Sequence, residues 1–213
     1  LANGTEGETR EQICMALGSC TDTNAYYKGL LESSGENKDY EIDIANSIWI
    51  NDMLCVKEPF ITSNKEYYDA TIEVTKFNKK TLQRINDWCK KKTKGKIPTI
   101  LNDIDPNDRM FLINALYFNA VWDKPFQKEN TRKDNFTTEK GKVVEVDMMK
   151  QRDNLLYSNN DRFEIAVKRY KGDYSMLFAL PKENVECSEV AETFMQDLDG
   201  CLEGMKICNI DLS

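Results

Sequence analysis

The chain has 213 residues, of which 40% are hydrophobic and 31% charged, a globular composition and not that of a disordered chain. Its net charge of −7 argues against nucleic acid as the main partner, and no run approaches the roughly 18 apolar residues of a membrane span. Histidine is absent, which excludes a Ser-His-Asp triad, a Cys-His pair and any His-ligated metal.

The first segment, "LANGTEGETREQ", has no basic n-region, no apolar h-region and no initiator Met, so a signal peptide or targeting tag is expected to be absent or already removed. Thr9 followed by Gln12 reads as a capping box that opens a helix. Ile13, Ala16 and Leu17 would share its inner face, and Gly18 would end it. A second short helix carries Tyr26, Tyr27, Leu30 and Leu31 and stops at "SSGEN". In "YEIDIANSIWIND" the alternation of Ile42, Ile44, Ile48 and Ile50 predicts a strand, with Asn51-Asp52 as its turn. "PFITSNKEYYDA" reads as a helix with Pro59 near its start, and "TIEVTKF" as another strand.

The clearest amphipathic helix is "KKTLQRINDWCKKKTKGKIP". Leu82, Ile85, Trp88 and Cys89 form one apolar stripe, and lysines crowd the last turn, where they suit the helix dipole. Gly95 and Pro98 terminate it. The lysines at 90, 91, 92, 94 and 96 read as a solvated helix end in preference to a polyanion site.

Next comes "FLINALYFNAVWDKPF". Eight of its first ten residues are apolar, as in a strand with both faces covered, yet Asn114 stands in the run. A buried amide without partners costs a few kcal/mol, so Asn114 needs a reason. Then "KVVEVDMM", "RFEIAVKRY" and "YSMLFALP" read as strands, with Lys171-Gly172-Asp173 as a hairpin turn between the last two. "SEVAETFMQDLDG" reads as a helix with Val190, Ala191, Phe194, Met195 and Leu198 inward, and "MKICNIDLS" as a final strand. The order predicts an α+β fold with mostly antiparallel sheets. With no repeat, no low-complexity segment and no Pro/Ser-rich linker, residues 1–213 read as a single domain.

The seven cysteines (Cys14, Cys20, Cys55, Cys89, Cys187, Cys201 and Cys208) include no C-x-x-C pair and read as small buried hydrophobes. Two sequons, Asn3-Gly4-Thr5 and Asn135-Phe136-Thr137, make Asn3 and Asn135 candidate glycosylation sites if the chain is secreted. The pairs Asp103/Asp105 and Asp197/Asp199 read as turn formers. Trp49, Trp88 and Trp122 read as core packing. No cluster proposes catalysis, a metal or a cofactor, and the residues point to a protein that is not an enzyme.

Several segments together resemble the serpin family. The Asn-Ala-Leu-Tyr-Phe run, then Trp122, then Lys124-Pro125-Phe126, resembles the serpin segment that ends strand 3 of sheet A and passes to sheet C. "GETREQICMALG" resembles the end of the helix C region, "IANSIWI" strand 2A, and "INDWCKKKTKGKI" helix F. "VDMMKQ" resembles the approach to sheet B, and "YKGDYSMLFALPKE" the hairpin of strands 2B and 3B. These segments run in serpin order from Gly7 to Ser213. Asn119-Ala120 stands where the family usually has Lys-Gly, and the segment from Phe77 into helix F looks short. The helix D region holds little basic charge beyond Lys28, so a heparin site of the helix-D kind is not supported.

The resemblance implies a serpin fold incomplete at both ends. It would begin after helices A and B and stop near strand 2C, before strands 6A and 5A and the reactive-centre loop, so no reactive-centre residue lies in this chain. It implies a serine-type endopeptidase inhibitor acting as a suicide substrate, whose loop inserts into sheet A. The alternatives are a non-inhibitory serpin (carrier, chaperone or storage-like) and a cross-class inhibitor of cysteine proteases. The implied partner is a target protease, and residues 1–213 alone would not inhibit it. By the same resemblance Asn114 is the shutter asparagine of a central sheet A strand, Phe111–Phe118, and Trp122 lies at the breach. Asn114's partners, on helix B and strand 5A, would be missing, leaving it under-satisfied or bonded to water. The sequons favour an extracellular or cell-surface location, and the scattered cysteines the cytoplasmic alternative.

Overall fold

The computed structural model describes residues 2–18, 21–138 and 140–213. It divides into two compact units, one reaching Asn119 and the other starting at Ala120.

The first unit opens with a 3-10 turn, Ala2–Gly4, followed by helices α1 (Gly7–Ala16) and α2 (Thr23–Ser33). Strand β1 (Tyr40–Asn51), helix α3 (Glu58–Tyr68), strand β2 (Thr71–Thr75), helix α4 (Lys79–Lys92) and strand β3 (Met110–Ala120) complete it. The strands form one sheet in the order β2-β1-β3. β1 and β2 run parallel, Ser47 opposite Thr71 and Asn51 opposite Thr75, because α3 carries the chain back between them.

The period-two alternation of β1 separates its side chains into two layers. Trp49 packs with Phe77, Ile104, Ile113 and α4's Ile85. Ile48 and Ile50 turn the other way, to Ala70 and α3's Phe60. The α4 stripe is as read: Ile85 and Cys89 are buried, and Leu82 and Trp88 pack around them. Its start is set by Asn78, whose Oδ1 accepts from the N–H groups of Lys80 (2.9 Å) and Thr81 (3.1 Å). Past its end Gly95, at φ 82°, closes the helix by donating to the Lys90 carbonyl at 2.7 Å.

α1 departs from expectation. It begins at Gly7 after Glu6, so Thr9 lies inside the first turn and caps nothing. None of its residues is buried, and Ala16 and Leu17 face solvent. Its apolar positions are too few for a continuous stripe.

The second unit holds strands β4 (Arg132–Thr137), β5 (Val143–Met148), β6 (Gln151–Asn159), β7 (Phe163–Arg169) and β8 (Ser175–Pro181). Helices α5 (Cys187–Gln196) and α6 (Leu198–Leu202) and strand β9 (Lys206–Leu212) follow. β4 and β5 pair antiparallel, and β8-β7-β6-β9 form an antiparallel four-stranded sheet. The β7–β8 turn has Gly172 at φ 88°, the conformation its sequence calls for. Phe163 and Ile165 of β7 bury against Val190 of α5, with Phe194 packed beside them. Ala191, Met195 and Leu198, expected inward, are exposed, Met195 at 79%. α5 is ten residues long and presents only a narrow stripe to the sheet.

The cysteines do not form one class. Cys89 is a buried thiol, Cys55 and Cys187 are exposed thiols, and Cys201 and Cys208 lie between. Cys14 is disulfide-bonded, against the reading of the cysteines as buried thiols; Cys20 lies outside the described residues. Asp105 forms a turn as expected, whereas Asp197 caps helix α6 and Asp199 lies inside it. Asp105 Oδ1 accepts from the Asn107 N–H at 2.7 Å, and Asp197 Oδ1 accepts from Gly200 N–H at 2.9 Å.

Candidate functional site

β3 turns its odd residues to the core under α4: Ile113 and Ala115 are buried. Its even residues form the opposite face, where Leu112, Leu116 and Phe118 are exposed, Leu116 at 55%. Asn114 belongs to this second face and is exposed with it. The expectation of a strand covered on both faces is therefore corrected among the described residues, since Leu112 and Leu116 are open to solvent on this face. Among the described residues β3 is the edge strand of its sheet.

Asn114 nevertheless has a partner. Its Nδ2 donates to Oδ1 of Asn46 at 3.0 Å, and Asn46 Nδ2 donates to the Tyr68 carbonyl at 2.8 Å. Asn46 is on β1, at an even position, so both amides stand on one face of the sheet and bridge neighbouring strands. The Tyr68 hydroxyl continues the pattern by donating to Asn24 Oδ1 at 2.8 Å, which also accepts from Asn3 Nδ2 at 3.0 Å. Burial raises the Tyr68 phenol pKa, so it remains a donor at neutral pH. Asn46, Asn114, Asn24, Tyr27 and Tyr68 line one cavity of about 700 Å³. The expectation for Asn114 is an under-satisfied or water-bonded amide; its Nδ2 has a protein partner in Asn46. The missed signal was Asn46, a second amide inside an apolar strand pattern.

Trp122 belongs to the second unit. Its ring stacks on Tyr170 at 4.0 Å and 13°, with Phe126 edge-on at 6.3 Å. Asp123 N–H donates to the Arg169 carbonyl (3.1 Å), and Lys171 N–H to that of Val121 (2.8 Å). Of the sequon residues, Asn135 is exposed on β4, whereas Asn3 is half-buried with its amide engaged by Asn24. Among the described residues no group of His, Cys, Asp or Glu could hold a metal, and no helix is long and apolar enough to cross a membrane.

The serpin (serine protease inhibitor) family model matches residues 1–212. A serpin-like protein of Methanosarcina acetivorans is 35% identical over 191 residues, 85% of this chain and 45% of that protein. The native-state crystal structure of tengpin, a thermophilic serpin, superposes with a TM-score of 0.85 at 34% identity, covering 97% of this chain and 55% of that one. A structure of thyroxine-binding globulin in complex with thyroxine gives a TM-score of 0.83 at 25% identity, covering 99% and 61%. The chain spans about half the length of the relatives it matches. With the sheet order, the helix pattern and the match across residues 1–212 in agreement, the chain belongs to the serpin family.

Proposed function

We propose that the protein carrying this chain inhibits serine endopeptidases as a suicide substrate. The chain contributes the β2-β1-β3 sheet, into which a reactive-centre loop inserts beside β3. The observation that carries this reading is β3 itself: an apolar strand at the sheet edge among the described residues, joined to β1 by the hydrogen bond from Asn114 Nδ2 to Asn46 Oδ1. In this role Asn114 is the shutter residue, a polar contact that can break and re-form as the sheet parts. Trp122 is the breach residue. Serpins are generally inhibitors, not enzymes. The test incubates the intact protein with a panel of serine and cysteine proteases. An SDS-resistant complex with a serine protease is expected. Its absence across the panel, with the protein folded, refutes inhibition. Complexes with cysteine proteases alone would assign the cross-class activity instead.

A carrier function is the second reading, supported by the likeness to thyroxine-binding globulin. A protein that is cleaved or ignored by every protease, yet folded, fits it. For location we propose the extracellular space or cell surface, supported by the exposed Asn135 sequon and the disulfide-bonded Cys14. Expression through a secretory pathway should give a glycosidase-sensitive mass that Asn135→Gln removes.

A further inference from the structure

Lys168 stands on β7 at an inward position, its side chain 1% exposed, on the same side of the strand as buried Ala166. The apolar alternation of β7 lies on its odd face, Phe163 and Ile165, so the burial of Lys168 on the even face needs an account. Burying an ammonium is unfavourable unless every donor finds a partner. Lys168 Nζ donates to Gln151 Oε1 at 2.9 Å and faces Asp153 Oδ2 at 3.5 Å, both from the neighbouring strand β6. Its remaining side meets two aromatic faces, Phe126 at 5.0 Å and Trp122 at 5.5 Å. Those rings come from the segment 121–126, which the chain follows after leaving β3. Asp153, 7% exposed, also accepts from Lys124 Nζ of that segment at 2.9 Å. One buried carboxylate is thus shared by an ammonium of the sheet and an ammonium of the segment, and the sheet's ammonium touches the segment's two rings.

We propose that Lys168 is a positioning residue, an internal cation that clamps the Trp122–Phe126 segment onto the four-stranded sheet. The cation draws the negative ring faces toward β7, and Asp153 fixes both the cation and Lys124. Besides this clamp, the segment is held by two backbone hydrogen bonds, by Gln151 Nε2 donating to the Lys124 carbonyl at 3.5 Å, and by the Trp122–Tyr170 stack. The inference is independent of whether the protein inhibits a protease.

The test uses Lys168→Met in the intact protein. Methionine keeps an unbranched apolar chain and removes the charge, and Asp153 is not left as an uncompensated buried charge because Lys124 Nζ still donates to it at 2.9 Å. Hydrogen exchange is followed at two sets of amides. Exchange of the Asp123 and Lys171 amides should quicken by about tenfold or more, while the β7–β8 ladder amides keep their rates. Phe126→Leu removes one ring face and keeps an apolar side chain. It should quicken the same two amides by a smaller factor. If neither variant changes exchange at Asp123 and Lys171, or if the β7–β8 ladder quickens equally, Lys168 is packing and not a clamp.

Discussion

Asn46 should matter more than Asn114, although only Asn114 stands out in the sequence. Asn114→Ala removes one hydrogen bond at an exposed position where water can replace it, so the cost should stay below about 1 kcal/mol. Asn46→Ala removes that bond and the one to the Tyr68 carbonyl, and should cost roughly 1–2 kcal/mol. Urea unfolding of the two variants checks the order, and an equal or reversed order would show that the bridge to Tyr68 contributes nothing. Asp153 supplies a pH test. Burial pulls its carboxyl up, but the hydrogen bonds from Lys124 and the Asn154 N–H, with the charges of Lys124 and Lys168, leave it below the ordinary range. A depressed carboxylate stabilises the fold above its unfolded value, ~4, and that contribution disappears as pH falls through the lower folded value. Asp153→Asn should therefore flatten the acid limb of the stability profile. At neutral pH it should cost about 3–5 kcal/mol, because Lys168 stays buried with a weaker partner. Denaturant midpoints taken across a pH series read both effects.

Elements were legible where one period dominated. β1 alternates strongly enough that one face, with Ile48 and Ile50, could be assigned, and α4 shows an uninterrupted 3.6-residue stripe. β4 escaped notice because all six of its residues are exposed and its partner β5 supplies what alternation there is. β6 escaped because its inward positions include Asp153, a charge where the pattern needs a hydrophobe. The Asn114–Asn46 bond could not be read at all, since it depends on which strands are neighbours. Caps give a direct comparison between a correct assignment and a wrong one. Asn78→Ala removes the acceptor for two orphan N–H groups of α4 and should cost about 1 kcal/mol, whereas Asn78→Asp should retain most of it. Thr9→Ala, at the position first taken as a cap, should change stability by less than about 0.5 kcal/mol. Thermal melts of the three variants decide the matter.

At the scale of the molecule, β3 sets how residues 1–213 behave when expressed on their own. The strand has β1 on one side, no described strand on the other, and Leu112, Leu116 and Phe118 exposed along one face. Burying three half-exposed apolar side chains gains roughly 3 kcal/mol in each copy at ~25 cal/mol per Å², about 6 kcal/mol for two. That lies at the low end of the roughly 4–15 kcal/mol lost when two bodies associate. The apolar face alone is therefore marginal for holding two copies together, and strand pairing at the free edge adds to it. Association that rests on two modest terms is sensitive to either one. Residues 1–213 should self-associate in sedimentation velocity as concentration rises. Leu116→Lys, which places a charge on the open face beside the edge, should restore the monomer without altering the core, because Leu116 touches solvent and Ala115, on the core side, is unchanged. If the chain is monomeric at every concentration, the edge is protected by something other than sequence polarity. If Leu116→Lys associates as readily as the parent, contact is made through a different surface.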